Sequence, residues 1–181
     1  MIRNASDRWG SVSIALHWLT ALLILGLATV GLIMTELPSS PSKMQVYALH
    51  KSFGLTVLAL AALRLLWRLL AGSPDDVPGP RLQTMAAKAV HVALYALLFA
   101  MPLSGWLFNS AAGFPLRWFG LVSLPKLFTG YNPGLKQLAG EIHETGFYIL
   151  AALLLVHAGA ALFHHYIKRD DTLKRMTGKM P

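Results

Sequence analysis

Hydrophobic residues gather into four long stretches separated by short polar or breaker-rich segments. Charge-free gaps mark three of them: no Asp, Glu, Lys or Arg lies between Trp9 and Thr35, between Ala89 and Leu116, or between Thr145 and Ile167. A helix that crosses a bilayer needs about 20 mostly apolar residues. The gaps therefore predict spans over residues 13–34, 86–108 and 142–166. The remaining stretch, residues 47–70, is apolar from Phe53 to Leu63 and then reads Arg64-Leu-Leu-Trp67-Arg68. It is read as the second span, with its two arginines near one end, where they can snorkel or meet an anion. The first stretch exceeds the h-region of a signal peptide and lacks a small-residue cleavage site, so it is expected to remain as a helix.

Three connections join the spans. Glu36 to Lys43 is a short polar turn, and Gly72 to Pro80 is rich in Pro and Gly. Asn109 to Gly140 is longer, carries Pro115, Pro125 and Pro133, and is expected to hold a short helix at the membrane interface. Pro102 predicts a kink in the third span, which membrane helices tolerate when neighbours satisfy the freed carbonyl. No repeat interrupts the pattern. The expected fold is all-α: an integral membrane four-helix transmembrane bundle forming a single domain over residues 1–181.

Composition agrees and adds orientation. The chain of 181 residues is 55% hydrophobic and only 13% charged, with a mean hydropathy of +0.51 and a net charge of +8. An average soluble domain is roughly 25% charged, so the basic balance does not read as a nucleic-acid surface. Four spans put both termini on one side. That side holds eleven of the sixteen Lys and Arg residues, counting Arg64, Arg68 and Lys179, and the other holds Lys43, Lys51, Arg117, Lys126 and Lys136. Positive charge favours the cytoplasmic side, so both termini are expected in the cytoplasm, with lipid headgroups taking up much of the charge.

Histidine and cysteine then narrow the chemistry. There is no cysteine, which excludes disulfides, thiolate-bound zinc, iron–sulfur clusters and covalently attached haem. The seven histidines all fall within or at the ends of spans, where ionisable residues are costly and usually functional. His143 and His157 differ by nearly four helical turns, so they share a face about 21 Å apart along the axis. His164 stays on that face and His165 turns away. Alternating topology supplies partners: His50 with His143 at the outer level, and His17 with His157 at the inner level, where His91 competes. Zinc usually requires a fuller ligand set and copper is conceivable. Haem b fits better, because its iron takes two axial imidazoles from facing helices. Gly54, Gly146, Ala158 and Gly159 would let a macrocycle approach the backbone, although small-residue helix packing explains any one of them equally well. Arg64 and Arg68 suit haem propionates or lipid phosphates alike.

Several stretches together resemble the prokaryotic cytochrome b561 family along essentially the whole chain. They are Ala15-Leu-His17-Trp18, His50-Lys-Ser-Phe-Gly54, Arg64-Leu-Leu-Trp-Arg68, His91-Val-Ala-Leu-Tyr95, Pro102-Leu-Ser-Gly105 and His143-Glu. The tail from His157 through His164-His165-Tyr and Asp170-Asp-Thr-Leu173 to Arg175-Met176 is the most specific. The resemblance implies a cytochrome b561-type domain of the bacterial inner membrane with two non-covalent haem b groups. His17 and His157 would hold the inner one, and His50 and His143 the outer one, which leaves His91 beside the haem or quinone. It further implies oxidation of superoxide at the periplasmic face and reduction of ubiquinone near His164, where a histidine can donate a hydrogen bond to a carbonyl. A basic outer rim would steer superoxide, and Lys51, beside His50, is the best placed cation. The alternatives are a haem-b subunit serving a partner protein in a larger dehydrogenase or hydrogenase, and a non-haem proton-coupled carrier. Trp9, Trp18, Trp67, Trp106 and Trp118 fall near span ends and need no role beyond the aromatic belt.

Overall fold

A computed structural model describes residues 1–178. Four long helices dominate it: α1 (Ser11–Glu36), α2 (Pro41–Ala71), α3 (Arg81–Ala111) and α4 (Pro133–Phe163). All four are long and apolar enough to cross a membrane. A π-helical turn, His164–Lys168, extends α4, and a short α5 (Lys174–Thr177) follows in the tail. Lys179, counted above with the basic side, lies outside the described residues.

The helices begin before their predicted spans, and in α2 and α4 the start is set by local capping chemistry rather than by hydropathy. Helix α2 begins at Pro41, six residues before the predicted position 47. The Ser40 side chain accepts from the Lys43 backbone N–H, and Pro41 occupies the first turn, where its missing N–H costs nothing. The same device starts α4 at Pro133, where the Asn132 side chain accepts from the Leu135 N–H. Leu37, extended and followed by Pro38, stops α1. Gly72, at φ +73°, stops α2 in a conformation that favours glycine. Helix α3 runs unbroken past Pro102.

In the packing, α1 lies on α2, α2 on α3 and α3 on α4. Ile24, Val57, Ala61, Leu98 and Leu150 form the buried mid-bundle core. Most other large apolar side chains, among them Leu22, Leu32, Leu155 and Val156, face outward. A lipid-facing surface needs this arrangement, because hydrocarbon outside removes the reason to hide them. Buried hydroxyls return their hydrogen bonds to their own helix: Thr20 Oγ1 donates to the Leu16 carbonyl (2.6 Å) and Ser52 Oγ to that of Ala48 (2.9 Å).

The two ends of the bundle are built differently. Where a short interfacial helix was expected, α3 ends at Ala111 and the chain makes a small antiparallel hairpin instead, β1 (Leu116–Trp118) with β2 (Val122–Leu124). Its turn carries positive φ at both Phe119 (49°) and Gly120 (73°), the geometry that matches strand twist. The hairpin rests on α2: Trp118 Nε1 donates to Thr56 Oγ1 (3.1 Å), and the Phe119 ring meets Phe53 edge-on. At the opposite end the N-terminal segment, the 72–80 loop and the tail interlock. Asn4 donates to the Gly72 carbonyl, Trp18 Nε1 to that of Met176 and Arg175 to that of Asp75. Gly10 is required here, since a Cβ would fall 2.3 Å from the Ile2 carbonyl oxygen.

Candidate functional site

A cavity of about 2620 Å³ runs the length of the bundle, with residues of all four helices in its wall. Small-molecule sites typically enclose roughly 300–1,000 Å³, so the space exceeds what one small ligand fills. His50 and His143 line it at the hairpin end, His17, His91 and His157 toward the tail end, and His164 at the tail mouth.

The histidines meet in pairs. The His50 and His143 ring centres are 6.4 Å apart, and those of His17 and His157 are 6.2 Å apart. Two imidazoles on opposite sides of one metal, each with its nitrogen about 2 Å from the ion, put their ring centres roughly 6 Å apart. Both pairs match that spacing. His91 lies edge-on to His157 with centres 5.3 Å apart, an ordinary aromatic contact too short for two ligands across an ion. Among the described residues, no three His, Asp or Glu side chains gather as a metal site. A zinc centre therefore lacks its ligand set, whereas a centre with two axial imidazoles does not need one.

In the His50–His143 pair one ring is fixed by hydrogen bonds and the other is not. His143 Nδ1–H donates to the Met101 carbonyl (2.9 Å), and Ser104 Oγ lies 3.1 Å from the same nitrogen. A carbonyl only accepts, so the proton is on Nδ1 and the Nε2 lone pair is free. His50 Nδ1 is buried with no partner. Both rings lie against glycines: a Cβ on Gly31 would reach His50 Cε1 at 3.3 Å, and one on Gly105 would reach His143 Cε1 at the same distance. The His17–His157 pair is arranged otherwise. Arg64 Nη2 donates to His17 Nδ1 (2.8 Å), and its guanidinium stacks over Tyr95. A metal at His17 Nε2 requires Nδ1 to carry the proton, so that guanidinium must turn away. Arg68 covers the Trp9 ring.

At the hairpin end, Lys51 Nζ donates to Asn109 Oδ1 (3.0 Å), and Asn109 Nδ2 donates to the Phe114 carbonyl (3.0 Å). Lys51 is thereby fixed in the cavity wall beside His50. Lys43 and Lys126 are spent on backbone carbonyls, and Lys136 lies over Phe108. At the tail mouth, His164 Nδ1 meets Asp170 Oδ2 (2.5 Å) while its Nε2 meets Gln83 Nε2 (2.6 Å). Burial opposes ionisation of Asp170, yet hydrogen bonds from Thr172 and from His164 hold its carboxyl below the ordinary value. His165 makes no such set of contacts; its ring lies against Tyr166.

A family model for prokaryotic cytochrome b561 matches residues 8–179. The chain belongs to the prokaryotic cytochrome b561 family. Cytochrome b561 homolog 2 of Escherichia coli (strain K12) is 36% identical over 97% of this chain and 94% of its own length. Cytochrome b561 homolog 1 of the same strain is 34% identical, covering 94% and 97%. The probable superoxide oxidase CybB of Yersinia pestis is 27% identical, covering 95% and 97%. Membership in the b561 family brings b-type haem, electron transfer and a bacterial membrane, and sets aside the non-haem carrier.

Of the small residues singled out in the sequence, Gly146 serves helix packing, since a Cβ there would fall 2.7 Å from Met101 Sδ. Gly54 and Gly159 have open space beside them, and Ala158 lines the cavity. Gly31, Gly105, Ser104, Gln83 and Asp170 were missed as site residues. Ser104, Gly105 and Asp170 were visible only as members of family motifs; Ser104 and Gly105 meet His143 from a distant segment, whereas Asp170 reaches His164 only six residues away, across the π-helical turn.

Proposed function

We propose that this b561 protein carries electrons across the bacterial inner membrane through two haem b groups, oxidising superoxide at the periplasmic face and reducing ubiquinone at the cytoplasmic end. The carrying observation is the two histidine pairs at ligation spacing, one toward each end of a single cavity. Haem iron held by these imidazoles would supply reversible one-electron exchange. His50 and His143 take the outer group, with Met101 and Ser104 fixing the His143 ring as supporting partners of ligating histidines do. His17 and His157 would hold the inner group, and Arg64 and Arg68 would supply the positive charge for its propionates. His91 packs beside His157 as a neighbour rather than a ligand. Lys51 presents a fixed positive charge to an approaching anion, which raises encounter rates. His164 faces the quinone. Superoxide as donor is supported by the relative named a probable superoxide oxidase. The two E. coli relatives are named as cytochrome b561 homologs, and the second reading is a haem subunit of a larger complex.

Purified protein tests both. The expected result is two haems per chain, with His50→Ala and His143→Ala losing the same one and His17→Ala and His157→Ala losing the other. Superoxide with a soluble ubiquinone should give superoxide-dependent quinol, reduced in Lys51→Ala. Loss of a haem in His91→Ala but not His17→Ala overturns the inner assignment. Full haem loading without quinol formation selects the subunit reading.

A further inference from the structure

The tail mouth of the cavity holds a hydrogen-bonded chain whose donor directions can be read. Lys168 Nζ donates to Gln83 Oε1 (2.7 Å), since an ammonium cannot accept. This fixes the Gln83 amide nitrogen toward His164 Nε2, so Nε2 accepts. The His164 proton is therefore on Nδ1 and is donated to Asp170 Oδ2. The other carboxylate oxygen, Oδ1, accepts the Thr172 backbone N–H (3.0 Å) and makes a local turn. Thr172 Oγ1 lies 3.2 Å from His164 Nδ1. Gln83, His164, Lys168 and Thr172 line the cavity, while Asp170 stands behind the ring. Of the neighbouring charges among the described residues, Asp171 is held by Lys174, and Arg175 turns to the Asp75 carbonyl. His164 itself opens a π-helical turn, a distortion frequent at functional sites.

We propose that Asp170 is a positioning residue for quinone reduction: it holds the His164 ring with Nε2 toward the cavity and stabilises its doubly protonated form, so that Nε2–H is delivered to a quinone oxygen. The inference rests on the reading of His164 as the quinone-facing group. Reduction of a quinone to a quinol takes two electrons, supplied as two superoxide anions become dioxygen, and two protons. For each proton the Nε2–H bond breaks and a quinone O–H bond forms. His164 returns to the Nδ1–H form seen here and regains its Nε2 proton from water. A carboxylate on the far nitrogen of a catalytic imidazole fixes the tautomer and stabilises the cation without itself taking the proton. The Gln83 amide, which now occupies Nε2, is the group a quinone carbonyl displaces.

The division of labour between the two carboxylate oxygens supplies the test. Asp170→Asn keeps an oxygen for the Thr172 N–H but turns an NH₂ toward His164 Nδ1, which forces the other tautomer. Haem-loaded protein, reduced without oxygen, is mixed with a soluble ubiquinone, and haem reoxidation is followed across pH. Asp170→Asn should lower the limiting rate about 10–100-fold, the size seen when a partner of a functional histidine is removed. It should change the half-saturating quinone concentration far less and move the alkaline limb of the profile to lower pH. Quinone binding by calorimetry and haem content should stay as in the unaltered protein. Asp170→Glu, which keeps the charge, should recover part of the rate, and it decides alone if Asp170→Asn does not accumulate. Wild-type rate and profile in Asp170→Asn, or equal impairment of both variants with an unshifted profile, overturns the inference. If His164→Ala also binds and reduces quinone normally, the His164 reading itself falls.

Discussion

Gly105 shows how a residue without a side chain shapes this site. A Cβ there would sit 3.3 Å from His143 Cε1, closer than real Cβ atoms usually come, and in ordinary contact with Nδ1 at 3.5 Å. Alanine is the better helix former by about 1 kcal/mol, so Gly105→Ala has opposite effects on the helix and on the imidazole. The expected outcome is lower occupancy of one haem with thermal stability in detergent unchanged or raised. Gly146→Ala meets the flexible Met101 side chain instead, at 2.7 Å. It should lower the melting temperature while both haem signals persist. Equal haem loss in the two variants would show that packing, rather than the ring, is being disturbed. The histidines themselves were legible in the sequence because helical period and alternating topology bring them to common levels. Their glycine neighbours were not, because Gly31 and His50 face each other across two helices in a register that no local pattern encodes.

At the scale of elements, hydropathy located four spans but not their ends. Ser40-Pro41 and Asn132-Pro133 each place a capping side chain before a proline, and each starts its helix outside the apolar stretch. These two signals were present in the sequence, and a reading by charge-free gaps passes over them. Losing a cap of this kind costs about 0.5–2 kcal/mol. Ser40→Ala and Asn132→Ala should therefore each lower the melting temperature modestly, with unchanged haem spectra, since both caps lie away from the histidine pairs. A change in the spectrum would mean that these helix ends set the register of His50 or His143. The tryptophans carry the complementary lesson. An aromatic belt accounts for their depth, yet Trp18, Trp67, Trp106 and Trp118 each donate their indole N–H across elements, to Met176, Ser13, Pro125 and Thr56. Partners of that kind are tertiary and leave no trace in a local pattern.

For the whole molecule, everything about direction depends on which end faces the cytoplasm. The N-terminal segment, the 72–80 loop and the tail share one end, with His164 at its mouth, and the hairpin closes the other, where Lys51 stands beside His50. The excess of Lys and Arg predicts that the first end faces the cytoplasm. The chain has no cysteine, so single replacements carry a label without background. Ser123, in the hairpin, and Ser73, in the 72–80 loop, are both exposed. A membrane-impermeant maleimide applied to intact cells should modify Ser123→Cys, and should modify Ser73→Cys only after the inner membrane is opened. The reverse pattern would place Lys51 and the outer histidine pair in contact with the cytoplasm. Superoxide is an anion and does not cross hydrocarbon readily, so a periplasmic donor would then have no path to that end. Such a result would retain the bundle and its paired histidines but would reverse the direction of electron flow.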